Sequence, residues 1–576
     1  MTLARARVKL GRKISWVDVV LFVGVFLFIY ALIGVANEWA SPYRPTTEID
    51  LEFLSLLRYS IFSMVRVTIA YILSLCLTFT YGYVAATSRF GEMVLIPLLD
   101  ILQSVPVLGF MPGLVLALVH LFPSSNLGLE LAAIVMIFTG QGWNMVFSFY
   151  SSVKNVPTDL REMGDLFRLS KWEAFKKIEL PFSMNGLLWN SMLSMAGGWF
   201  FVMTIESFSL GDKDFRLPGI GSYMAVAYEK GDLTAIVWGI IAMFTLIIVV
   251  DRVIWAPLVV WSERFKYDRD SHRAIPKSVI LEWLKRSNIL GEYFKVQDEV
   301  LKWLQHERMA SQEKLEEVFH WGTSFRRYLP YIRAVMAVFL LMGTAYGARS
   351  IYHLLSGNSL VNWLLVIKYT FFTGLRVTAA VIIGSLWTIP AGVFIGTHPV
   401  WTSRLQPVIQ VVASFPAPML YPIIIFLLLK LNIGLEFGAV VLMLFASQWY
   451  ILFNVIGGAT LIPHQMLDVA QVYRVRGWDK WKAILLPAIF PSLVNGWITA
   501  AGGAWNACIV SEFVLYQKKE LMATGIGSAI TKAAQQGQYP ELAAAVFVLV
   551  MTVVLINRFF WGNLYRLAET RFRLEG

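Results

Sequence analysis

EMGDLFRLSKWEAFKKIELP, residues 162–181, and DVAQVYRVRGWDKWKAILLP, residues 468–487, are one element written twice, aligned without a gap at an offset of 306. Each opens on an acid (Glu162, Asp468), runs through an aromatic-Arg-aliphatic triplet (Phe167-Arg168-Leu169, Tyr473-Arg474-Val475) and a tryptophan (Trp172, Trp478), and closes on Leu180-Pro181 or Leu486-Pro487. The same offset links Trp143 to Trp449, Pro157 to Pro463, Trp199 to Trp505, Glu206 to Glu512, Gly219-Ile220-Gly221 to Gly525-Ile526-Gly527, and Arg252 to Arg558. Upstream the offset is 310, pairing Arg66-Val67-Thr68 with Arg376-Val377-Thr378, Pro106 with Pro416 and Pro112 with Pro422. The chain is therefore one unit duplicated in tandem, with four extra residues in the first copy between Pro112 and Trp143. We place the first unit at 1–262 with its loop at 154–181, a connecting segment at 263–333, and the second unit at 334–576 with its loop at 460–487.

Composition fixes the solvent. With 57% hydrophobic and 15% charged residues, the apolar surface exceeds what a soluble core hides, since globular domains average about 25% charged. Uncharged stretches long enough for a span of about 20 residues run over 67–87, 131–153, 181–205, 437–463 and 484–511. Stretches at 19–36, 101–122 and 233–250 complete six spans in the first unit. The offsets, with 334–348 as a short seventh span, bring the total to about twelve. The expected fold is an all-α polytopic membrane protein of two parallel six-helix units.

Arg5, Arg7, Lys9, Arg12 and Lys13 precede the first span, and basic residues beside a span mark the cytoplasmic side. Counting spans then puts both termini, the loops carrying Lys154 to Lys177 and the connecting segment inside, and the acidic stretch with Glu38, Glu48, Asp50 and Glu52 outside. The charge of +11 follows this rule and calls for no nucleic-acid partner. The first span lacks a small-residue cleavage site and reads as a retained helix. Cys76 and Cys508 lie in apolar runs, which offers neither a disulfide nor a thiolate metal site. Six spans return the chain to its starting side, so the two units insert the same way up. In the connecting segment, Val296, Val300 and Trp303 or Leu304 form one stripe while Glu299, Lys302, Glu313 and Lys314 lie elsewhere, the pattern of an amphipathic cytoplasmic helix.

The duplicated element resembles the EAA loop of permease subunits of bacterial binding-protein-dependent ABC importers with the type I fold. That pattern opens Glu-Ala-Ala, has a Gly four residues after the last Ala, and ends Ile-x-Leu-Pro. Here the openings are Glu162-Met163-Gly164 and Asp468-Val469-Ala470, and the ends are Ile178-Glu179-Leu180-Pro181 and Ile484-Leu485-Leu486-Pro487. The Gly is replaced by Arg168 and Arg474, which puts the tight left-handed turn in question or moves it toward Gly477. The resemblance implies that Glu162, Gly164, Arg168, Trp172, Leu180, Pro181 and their counterparts Asp468, Ala470, Arg474, Gly477, Trp478, Leu486 and Pro487 couple to ATPases. Pro157 and Pro463 would end the preceding helices, leaving a short separate helical hairpin. In it Gly164 and Ala470 would seat in a partner's groove and the tryptophans would anchor. The alternative is a capping box at Asp159 and Glu162 with the tryptophans at the membrane interface.

The chain has no phosphate-loop motif and no zincin pair beside His306-Glu307. It is not expected to be an enzyme or to carry a cofactor; the resemblance implies ATP and Mg in two separate ATPase subunits, an extracytoplasmic solute-binding protein, and a place in the bacterial inner membrane. Ser414-Phe415-Pro416-Ala417-Pro418, Asp251-Arg252 and Asn557-Arg558 look most like the nitrate, sulfonate, taurine and bicarbonate branch, which would imply a small oxyanion. Two stripes, Asn190, Ser194, Gly197 and Gly198, and Asn495, Thr499, Gly502, Gly503 and Asn506, suit either close helix packing or a translocation pathway. Trp199 and Trp505 are candidate gates. Arg66 and Arg376, near span ends, could pair with Glu206 and Glu512 at the outer boundary, or face the pathway and attract an anion. The rival function is an ion-gradient-driven carrier with two parallel repeats, which would need ionisable residues deep in its spans. A membrane scaffold would leave the duplicated loop unexplained.

Overall fold

The computed structural model describes residues 15–43, 47–210, 213–265, 278–284, 286, 338, 342–516 and 519–572. It comprises two compact units, residues 1–34 with 276–357 and residues 35–275 with 358–576. In the smaller, the described parts are the start of helix α1 (Trp16–Ala40), a short helix Val279–Leu284 and helical residues 342–356; Trp16 and Trp283 meet edge to face at 4.3 Å. The stripe from Val296 to Lys314 and most of the expected span 334–348 lie outside the described residues.

The larger unit holds both repeats. The first consists of α2 (Phe53–Thr87), α3 (Arg89–Ser104), α4 (Met111–Leu121), α5 (Leu127–Lys154), α6 (Thr158–Leu166), α7 (Lys171–Ala174), α8 (Leu180–Ile205), the hairpin β1 (Ser207–Leu210) and β2 (Lys213–Arg216), α9 (Ile220–Lys230) and α10 (Leu233–Phe265). The second consists of α11 (Leu360–Thr397), α12 (Pro399–Ser414), α13 (Tyr421–Lys430), α14 (Leu435–Thr460), α15 (His464–Val472), α16 (Gly477–Ser511), the hairpin β3 (Phe513–Tyr516) and β4 (Lys519–Met522), α17 (Ile526–Gln535) and α18 (Tyr539–Phe572). Among the described residues seven helices (α2, α5, α10, α11, α14, α16, α18) are long and apolar enough to cross a membrane, nine spans if each bent pair is one. Helix α8, 26 residues without a charge, is the counterpart of the second part of α16.

Three features depart from the expected plan. The third span of each repeat is broken, by 82° between α3 and α4 and by 75° between α12 and α13. The break falls at Pro106 and Pro416, whose rings force the preceding Val105 and Phe415 into extended backbone. Second, a two-stranded antiparallel hairpin follows the core helix of each repeat, Ser207 opposite Arg216 and Phe513 opposite Met522, where helices alone were expected. Third, α2 and α11 extend well before the expected spans, so Arg66 and Arg376 sit in mid-helix and not near span ends.

The repeats exchange their broken spans. Helix α12 packs on α8 and α10, and α3 packs on α18. The 3-10 turn Val107–Phe110 lies on α16, and its counterpart Ala417–Leu420 lies on α8. The four extra residues fall around the junction of α4 and α5, lengthening both helices as well as the loop between them. That loop ties down the segment after α1: Asn126 donates from its backbone and from its Nδ2 to Ser41, and Pro42 bridges Ser125.

Candidate functional site

Helix α6 ends in a Schellman turn. Leu169 N donates to Gly164 O at 2.9 Å and Arg168 N to Asp165 O at 2.9 Å, with Arg168 at φ 49°. The second loop repeats it: Val475 N to Ala470 O at 2.8 Å, Arg474 N to Gln471 O at 3.1 Å, and Arg474 at φ 55°. The left-handed position is thus kept where the EAA pattern has its Gly, and Arg occupies it at about 1 kcal/mol of strain. Gly477, at φ 58°, adds a second left-handed residue. The alternative capping box at Asp159 and Glu162 is absent, since α6 starts on Pro157 without a side-chain cap. The box is instead Ser170 with Glu173, whose carboxylate accepts from the Ser170 backbone and hydroxyl and is held below its ordinary pKa by those bonds. The second arm of the hairpin is not separate. It continues into the core helix through a π turn (Phe175–Glu179, Trp481–Leu485), where the wider winding accommodates the ring of Pro181 or Pro487.

Gly164 and Ala470 face inward, not toward a partner. A Cβ on Gly164 would lie 3.0 Å from Ile178 Cδ1, and Ala470 is 1% exposed. What the loops expose is an apolar patch around the exposed acid Glu162 or Asp468. In the first it is Met163, Leu166, Phe167 and Trp172; in the second, the residues 306 further on, Val469, Val472, Tyr473 and Trp478. All eight are more than half exposed. Each tryptophan is steadied by a lysine four residues on, Lys176 Nζ at 4.8 Å from the Trp172 ring and Lys482 Nζ at 5.7 Å from that of Trp478. Leu180 and Leu486 pack into the core at the junction with the core helices.

At the other end of the core helices each arginine is bracketed by two acids. Arg66 donates from Nε and Nη2 to Glu130, each at 2.6 Å, and from Nη1 to Glu206 Oε1 at 2.6 Å and to Pro218 O at 2.9 Å. Glu206 also accepts from Ser63 Oγ and from Gly221 N at the start of α9. The second repeat copies this with Arg376 bonded to Glu436, to Glu512 at 2.8 Å and to Thr524 O, while Glu512 accepts from Thr373 Oγ1 and Gly527 N. Gly219 and Gly525 are required for approach, because a Cβ on either would collide with the carboxylate of Glu206 or Glu512. The network ties α2 or α11 to the hairpin and the following short helix. Glu130 and Glu436 were missed in the sequence, although both are acids in apolar helices at the 306 offset. The copies differ in burial. Arg66, Glu130 and Glu206 are sealed, whereas the Glu436 side chain is 50% exposed.

Between the repeats the seam is closed at this end. Val107 N donates to Asn506 Oδ1 at 2.7 Å, Tyr228 donates to Met419 O, and Phe244 stacks on Phe415 at 4.3 Å. Trp199, 1% exposed, borders a small void shared with Asp251, Gln410 and Ser414, whereas Trp505 lies against Gly374 of its own repeat. Toward the duplicated loops the seam opens. Asn495 is exposed, and nothing lies within 4 Å of a Cβ built on Gly502. The stripe on α16 therefore divides: Gly503 packs on Tyr450, Asn506 accepts from Val107 of the other repeat, and Asn495 donates to Asn454 of its own. In α8, Gly198 packs on Gln141 and Asn190 donates to Ser148.

Residues 78–254 and 388–573, more than half of the chain, match the family described as binding-protein-dependent transport system inner membrane component. Among curated proteins, the bicarbonate transport system permease protein of Synechocystis sp. is 29% identical over 183 residues, 32% of this chain and 62% of that protein. The nitrate import permease protein of Leptolyngbya laminosa is 25% identical over 182 residues, 32% of this chain and 62% of that protein. That of Synechococcus elongatus is 24% identical over 223 residues, 37% of this chain and 75% of that protein. The chain thus spans about three fifths of the length of the first of these relatives. Two matched segments, a duplicated loop and a helical bundle of apolar spans lead to one conclusion: this chain belongs to the family of inner membrane permease components of binding-protein-dependent transport systems, with two such domains fused in tandem.

Proposed function

We propose that the chain forms the whole transmembrane pathway of an ATP-driven importer, moving a small solute by alternating access along the seam between its repeats. The observation that carries this is the pair of equivalent exposed apolar patches, Met163, Leu166, Phe167 and Trp172 against Val469, Val472, Tyr473 and Trp478. Aromatic clusters of this kind on a rigid hairpin are what a protein partner buries, and two of them call for two ATPase subunits supplying ATP and Mg. Both lie at the loop end of a core helix, so a push on either loop is delivered along α8 or α16. The boundaries 1–262, 263–333 and 334–576, cytoplasmic termini, and an extracytoplasmic solute-binding protein docking at the hairpin end complete the reading. The names of the relatives make bicarbonate and nitrate, and small oxyanions generally, the first solutes to test. The gradient-driven alternative needs free ionisable groups in the spans, and Arg66 and Arg376 are each held by two carboxylates.

Affinity purification of the full chain from its native membrane is expected to retain ATPase subunits. In that complex Glu162→Lys with Asp468→Lys should abolish substrate-stimulated ATP hydrolysis while helicity is unchanged. Normal stimulation in the double variant refutes the coupling role.

A further inference from the structure

The void beside Trp199 lies where the two repeats join. It is lined by Asp251 and Trp255 of α10 in the first repeat and by Gln410 and Ser414 of α12 in the second. Its volume of about 10 Å³ is room for about one water, so Asp251 and Gln410 border one small space with almost no solvent in it. The Ser414 hydroxyl is turned to its own helix, donating to Gln410 O at 2.8 Å, and Gln410 is 6% exposed. Arg252 approaches Asp251 only to 3.8 Å and is itself 64% exposed. An acid of the first repeat and an amide of the second thus share this joint.

The duplication supplies a second joint, where α3 of the first repeat packs on α18 of the second. The offsets carry Trp199, Trp255 and Ser414 to Trp505, Trp561 and Ser104, unchanged, and Val250 and Val411 to Ile556 and Ile101, still apolar. They carry Asp251 to Asn557 and Gln410 to Asp100. Acid and amide have exchanged helices, so each joint again has one of each, and in both the acid belongs to the first repeat. Two first repeats meeting through the same joints would set Asp100 against Asp251 twice. Two second repeats would set Gln410 against Asn557, amides that can bond to each other. An interhelical hydrogen bond in a membrane is worth a factor of about three, whereas two carboxylates about 4 Å apart disfavour contact by up to about a thousandfold at the effective dielectric of a protein. The pairs therefore matter less for what they hold than for what they exclude.

We propose that Asp251 with Gln410, and Asp100 with Asn557, are the pairing determinants of the membrane domain: a first repeat accepts a second repeat as its partner and rejects another first repeat. The first repeat is complete some 300 residues before the second, roughly 15–60 s of synthesis, and during that interval the acids keep neighbouring copies apart. The proposal requires the duplication alone, not the identity of the solute or of the energy source.

The test uses the purified full chain, unfolded in SDS and followed by tryptophan fluorescence. Gln410→Asp sets acid on acid at the first joint and should lower the folding equilibrium at least tenfold, about 1.4 kcal/mol; Asn557→Asp should do the same at the second. Asp251→Asn and Asp100→Asn set amide on amide and should each cost about threefold or less. Combining Asp251→Asn with Gln410→Asp gives the first joint the chemistry of the second, and should return stability to within about threefold of the parent, as should Asp100→Asn with Asn557→Asp. Partner identity is read separately in a Cys76→Ser, Cys508→Ala background. A short thiol crosslinker should join Asp251→Cys to Gln410→Cys, and Asp100→Cys to Asn557→Cys, within one chain. Co-expressed chains carrying Asp100→Cys and Asp251→Cys should stay unjoined. Loss of less than threefold in the acid-on-acid variants, failure of the exchanges to recover, absence of either crosslink within the chain, or a crosslinked dimer of the co-expressed chains overturns the proposal. Neither measurement involves an ATPase, so the import reading stands or falls apart from it.

Discussion

Replacing Arg66 by Lys should destabilise the protein far more than replacing Arg376 by Lys, although the two occupy equivalent positions. Arg66 makes four hydrogen bonds, three of them to carboxylates, with every partner side chain at 0% exposure. An ammonium is a point donor that cannot reproduce the guanidinium fork, so at least two charged bonds are lost, at roughly 1.5–3 kcal/mol each. The expected cost is about 3–6 kcal/mol. In the second repeat the Glu436 side chain is 50% exposed and also accepts from the backbone and hydroxyl of Thr524. Water and Thr524 take over what the lysine drops there, and the expected cost is about 1–3 kcal/mol. The difference of about 2 kcal/mol is roughly a thirtyfold change in the unfolding equilibrium. It is read from SDS unfolding of the purified variants, followed by tryptophan fluorescence. Equal losses, or a larger loss for Arg376→Lys, would show that burial does not set the strength of these networks.

Two further outcomes follow from the same geometry. The charge swap Arg66→Glu with Glu206→Arg should fail to restore transport even though the two residues pair. Position 206 must accept from Ser63 and Gly221 N, and a glutamate at 66 would face Glu130; recovery of wild-type uptake contradicts this. Arg168→Gly and Arg474→Gly should each raise stability by about 1 kcal/mol with ATPase stimulation retained, and a loss of stability in the same unfolding assay would mean the left-handed turns are not strained.

The sequence by itself determined the duplication, the membrane setting, the family and the position of the duplicated loops. These rest on local identity and composition, and an offset of 306 survives whatever the chain folds into. It also proposed Arg66 with Glu206 and Arg376 with Glu512, because lone charges in apolar runs have few partners to choose from. What only the tertiary structure decided depends on direction and distance. Gly164 and Ala470 looked like partner-facing small residues, yet the Schellman turn rolls them beneath the hairpin and leaves Met163 and Leu166, or Val469 and Val472, outside. Glu130 lies 64 positions from Arg66 and Glu436 lies 60 from Arg376, and only the packing of α5 on α2 and of α14 on α11 brings them there. The neighbours of the polar stripe of α16, Tyr450 beside Gly503 and Val107 at Asn506, are likewise set only by how the helices pack. Periodicity says which residues share a helix face, whereas the neighbour opposite that face is a property of the fold.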